Sequence, residues 1–249
     1  MVIIIAASLF TAFFLTAFLA VLFLAVFFFL MLFVKINDLE FKKLFLEESF
    51  SEVGMIEKVR KIVEQSHERE DFQYPVLPVV KNALFLARKL NADLEVVETA
   101  ALLHDIGRSR MSEFEVENEH NFAGAKKASE VLKGFGCRDD FIEKVAHCIL
   151  THRGRSDLKP ESLEAEIIAN ADAMTHFDTF LNLLKEFFGT NETFEAAVLE
   201  IERKMERNWG KKLSLPEAKE KVREKFEAVM LLIKSMKEEM KTSSTKSAI

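Results

Sequence analysis

From residue 35 to residue 241 apolar side chains recur at three- and four-residue spacing nearly throughout, and no run alternates in the manner of a half-buried strand. That period lays one stripe of each segment against a core, so this part of the chain is expected to be all-α. No internal repeat, low-complexity tract or Pro/Gly-rich linker divides it. A helix is predicted from Ser51 to about Ser66, with Val53, Ile56, Val59 and Val63 on one side. Pro75 and Pro78 open the next, through Leu90, since proline is tolerated in a first turn. Asn91 to Asp93 form a turn and cap ahead of a helix carrying Val96, Val97, Ala100, Leu103 and His104. A polar loop around Ser109 to Glu117 leads to a helix from about Glu119 to Lys133, closed by Gly134 and Gly136. Asp139 or Asp140 caps one that runs through Ile142, Val145 and Ile149 to His152 and stops at Gly154. Ser162 starts a long helix reaching Phe188, and Thr190 and Asn191 cap another that lasts to about Trp209. Ser214 with Glu217 has capping-box spacing for a last helix to about Lys241, and residues 242–249 are expected to form a disordered tail.

The charge distribution splits the chain at position 35. Val2 to Val34 carries no charge, and all 34 Lys and Arg and all 40 Asp and Glu follow it. The run is longer than the roughly 20 apolar residues a bilayer core requires, so residues 1–34 are expected to form one transmembrane helix, with membrane lipid as a partner through residues 2–34. A cleaved signal peptide has a charged start and a shorter apolar core. Lys35, Lys42 and Lys43 follow the run and none precedes it, so the positive-inside rule places the C-terminal domain in the cytoplasm. The net charge of −6 offers no basic face for a specific nucleic-acid partner. Cys137 and Cys148 make no disulfide framework and suit a reducing compartment.

Chemistry-bearing residues gather around ALLHDIGR, Ala101 to Arg108, where an apolar helix ends in His104-Asp105 and then Gly107. Adjacent His and Asp offer one ion an imidazole nitrogen and a carboxylate oxygen, most easily where the helix stops and the backbone can adjust. His120 opens H-x-x-x-G-A, in which Gly124 and Ala125 would admit a close neighbour. His147 and His152 lie five apart, about 140° around a helix, which is awkward for one shared ion. His152 precedes Arg153, Gly154 and Arg155, a cationic loop suited either to phosphate or to a helix C-terminus. Asp172 stands among Ile167, Ile168, Ala169, Ala171, Ala173 and Met174, where a carboxylate needs a cation or hydrogen bonds. His176 shares its face.

Four segments in this order, ALLHDIGR, the H-x-x-x-G-A at His120, HCILTHRG (His147 to Gly154) and ANADAMTHFD (Ala169 to Asp178), resemble the HD superfamily of metal-dependent phosphohydrolases. The resemblance implies an all-α HD-domain helical bundle over residues 71–190. A juxtamembrane and entry helix in 35–70 precedes it, and C-terminal helices in 191–241 pack on it. It implies one or two divalent ions of the Mn, Fe, Co, Ni, Zn or Mg kind, with His104, Asp105 and Asp172 as core ligands and His120, His147 and His152 matching the extended set of two-ion members. Water activated by metal would attack a phosphoester, with Asp105 in the catalytic machinery and Arg108 and Arg153 neutralising phosphoryl oxygens. The implied ligand is a phosphorylated small molecule, a nucleotide above all, and an oligomer is compatible.

One family feature is missing. The core site has an earlier histidine on the preceding helix, and the register of PVLPVVKNA puts Pro75 or Tyr74 there, with His67 eight residues before Pro75. Two functions are therefore expected as alternatives: a membrane-anchored phosphohydrolase, or a degenerate HD domain that binds a nucleotide or partner as a membrane-attached sensor without catalysis.

Overall fold

The computed structural model describes residues 52–66, 76–108, 113–155 and 157–246. The expected membrane span, the juxtamembrane stretch and the positions of His67, Tyr74 and Pro75 lie outside them. Among the described residues there are helices and no strand, and no helix is long and apolar enough to cross a membrane. Among the described residues, the core lies from Met55 onward.

The helices in chain order are α1 (Glu52–Ser66), α2 (Leu77–Leu90), α3 (Leu94–Leu103), α4 (Glu113–Gly134), α5 (Asp139–Thr151), α6 (Leu163–Asp178), α7 (Phe180–Thr190), α8 (Phe194–Arg207) and α9 (Pro216–Lys246). A π-helical turn, Asn208–Lys212, joins α8 to α9. Helix α6 is the central element: it packs against α2, α3, α5, α9 and the π-turn. Its sequence explains why. Ala165, Ile167, Ile168, Ala169, Ala171, Ala173, Met174 and Phe177 are buried on all sides of it, and a helix that is apolar all round belongs in the middle. Its small residues also let neighbours approach closely. Helix α4 packs on α5, and α8 on α7 and α9.

Local chemistry sets several boundaries as expected. Asn91 adopts a left-handed φ of 54° after α2, Asp93 caps α3 by accepting from the amides of Glu95 and Val96, and Ser162 caps α6 through Ala165 N–H. Others need correction. Helix α4 starts at Glu113, ahead of the expected Glu119. The cap of α5 is Arg138, with Asp139 and Asp140 in the first turn. The long helix expected to reach Phe188 breaks at Thr179, which leaves helical geometry at φ −114° and ψ 36° while its N–H and Oγ1 both donate to Thr175 O. Thr193, not Thr190 or Asn191, caps α8. Ser214 builds no capping box; its hydroxyl donates to Glu166 on α6. Helix α9 runs to Lys246, past the expected Lys241.

Candidate metal centre

Helix α3 buries Ala100, Ala101, Leu102 and Leu103 and stops at His104. The chain then turns tightly, with Ile106 N–H donating to Leu103 O and Arg108 N–H to Asp105 O. This turn lies directly on the backbone of α4. A Cβ on Gly107 would stand 2.5 Å from both Gly124 N and His120 O, and one on Gly124 would stand 3.6 Å from Gly107 N and from His104 O. The close neighbour that Gly124 was expected to admit is therefore the turn that carries Asp105, and the contact brings that carboxylate to His120.

Three chain segments thus converge. Asp105 Oδ1 lies 3.5 Å from His120 Nε2 and 3.8 Å from His152 Nε2, while Oδ2 lies 3.5 Å from His104 Nε2 and 3.0 Å from an Arg108 guanidinium nitrogen. One ligand atom each from Asp105, His120 and His152 fall within 4.8 Å of one another. The His152 ring centroid is 5.6 Å from that of His104 and 5.4 Å from that of His120. All four residues are buried.

The ring orientation is set from behind. His104 Nδ1 is 2.8 Å from Ala101 O, and His152 Nδ1 is 2.6 Å from Ile149 O. A carbonyl only accepts, so each Nδ1 carries a proton, and in the neutral ring Nε2 then presents its lone pair toward Asp105. Burial, reinforced by His104, pushes His152 down to about 4 against the pull of Asp172 and Asp105, so it is neutral at pH 7. Burial acts to raise the Asp105 pKa, but His104, Arg108, His152 and His120 outweigh it and hold the carboxyl well below the usual range. A neutral imidazole lone pair facing a carboxylate across less than 4 Å repels it unless a cation or a proton stands between. The donor set suits a divalent ion that accepts mixed nitrogen and oxygen ligands, and the backbone carbonyls supply the outer support such ligands use.

The other expected site residues are placed differently. His147 lies outside this group: its Nε2 accepts from Glu161 N–H at 3.0 Å, which ties α5 to the loop before α6. The 140° between positions 147 and 152 accounts for that separation. Asp172, half-buried on α6, is also outside the converging group, and its Oδ2 is 2.5 Å from Lys212 Nζ. Its burial acts to raise its pKa, yet Lys212, His176, His152 and His104 hold it well below the usual range, so it shares an electrostatic field with the histidines. Arg108 is anchored on Asp105, and Arg153 is half-buried one residue beyond His152. His176 does not bond Asp172: its Nδ1 is buried without a hydrogen-bond partner, and burial, with Lys204 nearby, pushes it down to about 3. Cys148 is buried, and its thiol is pushed up to about 12 chiefly by that burial.

Sequence reasoning missed Lys212, which is buried although a Lys-Lys pair between helices ordinarily reads as solvated. No local signal marks it. Only its distance from Asp172 does.

The low histidine pKa values carry a stability prediction for the metal-free protein. His152 stays neutral in the fold to about pH 4 but takes a proton near pH 6.5 once unfolded. Its folded pKa is depressed, so its contribution is fully present above about 6.5 and is lost as the pH falls toward about 4. Urea unfolding in chelator should show stability about 2–3 kcal/mol lower at pH 4.5 than at pH 7 from this group. His152→Gln should flatten that part of the profile; a profile already flat in the parent chain would contradict the neutral, buried ring.

Residues 72–176 match the family model described as the HD domain. The chain is 32% identical over 99 residues to Ribonuclease Y of Thermoanaerobacter pseudethanolicus, covering 40% of this chain and 17% of that protein. It is 29% identical over 119 residues to a tRNA (cytidine(56)-2'-O)-methyltransferase of Picrophilus torridus, covering 42% and 31% respectively. The matched stretch is thus under a third of either relative. Among solved structures, the crystal structure of Bacillus subtilis YpgQ in complex with ADP aligns with a TM-score of 0.59 at 21% identity, over 76% of this chain and 96% of that one. That likeness is one of fold.

Proposed function

We propose that the chain is a metal-dependent phosphohydrolase acting on a nucleotide-type phosphoester. The observation that carries this reading is the convergence of Asp105, His120 and His152. Asp105, His120 and His152, with His104 beside them, would hold the ion. When bound, a divalent ion supplies an activated water near neutral pH and neutralises phosphoryl charge. The protein's own groups do the rest. His104 and His152 are held in orientation by the carbonyls of Ala101 and Ile149. Arg108 has donors beyond the one spent on Asp105, and its fork suits phosphoryl oxygens. The fold shared with a protein solved with ADP, and the stretch shared with Ribonuclease Y, support a nucleotide or RNA phosphoester. The charge-free run 2–34 supports a membrane-anchored protein with its domain in the cytoplasm.

The full-length chain in detergent should hydrolyse a nucleoside di- or triphosphate, an aryl phosphodiester or a short RNA with Mn, Co or Ni, and chelator should stop it. If no ion binds and nothing in that panel turns over, the reading is wrong. Carbonate-washed membranes should retain the protein and release a version lacking residues 2–34. The pairing of Lys212 with Asp172 favours a second reading, a nucleotide-binding sensor without catalysis. That reading predicts nucleotide binding that survives chelation and is never followed by product.

A further inference from the structure

We infer that Lys212 is a resident counter-cation of Asp172, so that a divalent ion gains this carboxylate only by displacing the lysine ammonium. The inference rests on the metal reading above and adds to it a residue from beyond the matched segment 72–176.

Lys212 is placed by several independent contacts. The wide π-turn Asn208–Lys212 closes with Leu213 N–H donating to Asn208 O at 2.9 Å. Its exit is tied to α6 through buried Asn170, whose Nδ2 donates to Ser214 Oγ at 2.9 Å and whose Oδ1 accepts from Leu215 N–H at 3.1 Å. Ser214 Oγ in turn donates to Glu166 at 2.6 Å. Asn170 stands two residues before Asp172, so the same stretch of α6 that carries the carboxylate also holds the turn that carries the lysine. The lysine stem lies against Gly154, where a Cβ would come within 3.0 Å of Lys212 Cγ and where φ is +66°. The glycine that ends the His152 loop therefore leaves room for the lysine.

The outcome is a lysine side chain only 8% exposed, with Nζ 2.5 Å from Asp172 Oδ2. An ammonium that far from water requires an anionic partner, and Asp172 is that partner. An ion bound to the same oxygen would lie within contact of a like charge, a strongly unfavourable arrangement in a partly buried site. Lysine at 212 thus lowers the affinity of the Asp172 side of the centre for metal, while Asp105, His120 and His152 keep theirs.

The test is Mn2+ titration of the full-length protein in detergent, with free Mn2+ read by electron paramagnetic resonance. Lys212→Met should bind at least tenfold more tightly than the parent, and Lys212→Gln, which keeps the stem and a hydrogen bond should the Met variant not fold, should do likewise. Lys212→Arg should bind like the parent. Lys204→Met removes a charge that also acts on Asp172 without the contact, and should gain less than threefold. Equal or weaker binding by both neutral Lys212 variants, or an equal gain from Lys204→Met, overturns the inference and leaves the metal reading standing. If neither the parent nor the neutral variants bind Mn2+, the metal reading falls and the inference falls with it.

Discussion

Asp105→Asn is expected to lower metal affinity at least about 100-fold and to reduce any phosphoester turnover by about a thousandfold or more, while leaving the fold in place. One carboxylate faces His104, His120, His152 and Arg108 at 3.0 to 3.8 Å. Losses of about 10- to 100-fold follow when groups that merely support a ligand are removed, and Asp105 stands inside the converging set. Asparagine has the same shape, and the turn at 104–108 is closed by backbone hydrogen bonds rather than by this side chain, so the variant should unfold as one cooperative unit like the parent. Arg108→Ala removes a single partly exposed pair and should lower metal affinity far less, because such pairs contribute at most about 1 kcal/mol. Metal analysis of the purified variants decides the matter. An Asn variant that keeps its ion within threefold of the parent would place the centre elsewhere.

Gly107→Ala should be the most destabilising glycine-to-alanine change among the described glycines with a negative φ, by about 3 kcal/mol or more, and should also separate Asp105 from His120. The added Cβ would meet Gly124 N and His120 O at 2.5 Å and Gly124 Cα at 2.8 Å. These are backbone atoms of α4, so no rotamer change relieves the clash, and the turn or the helix must move. Movement opens the gap between Asp105 and His120, now 3.5 Å, so lost stability and lost metal affinity should appear together. Gly134→Ala is the matched control: nothing lies within 4 Å of its Cβ position, and the change should be neutral or slightly stabilising. Thermal melts with and without Mn2+ test both. A Gly107→Ala protein as stable as the parent would mean that the approach of the turn to α4 is not tight.

Much of the helical layout was legible because the signals are local. Asp93 and Ser162 cap helices as their sequence context implies, and Val96, Val97, Ala100 and Leu103, the apolar residues picked out in α3, are all buried. The failures have separate causes. Thr179 breaks what the apolar spacing presents as one long helix, because its backbone leaves helical geometry at φ −114° and ψ 36°. Ser214 has perfect capping-box spacing with Glu217, yet Glu166 and Asn170, far away in sequence, take its hydroxyl instead. At Ser214 a short-range signal loses because partners on another helix take its hydroxyl.

The site divides in the same way. That His104, Asp105, His120 and His152 are candidate ligands could be read from three short motifs, and so could the close approach at Gly124, whereas Gly107 read only as a helix stop. Which of them meet could not. His147 and His152 sit on one helix, but the angle between them sends one to Glu161 and the other to Asp105. The suspicion that Asp172 needs a cation was justified by its apolar neighbours alone, whereas the identity of that cation, Lys212, was not. Side-chain periodicity and capping depend on a few consecutive residues and are written in the chain itself; the Lys212–Asp172 and Asp105–His120 pairings span gaps that only helix packing closes.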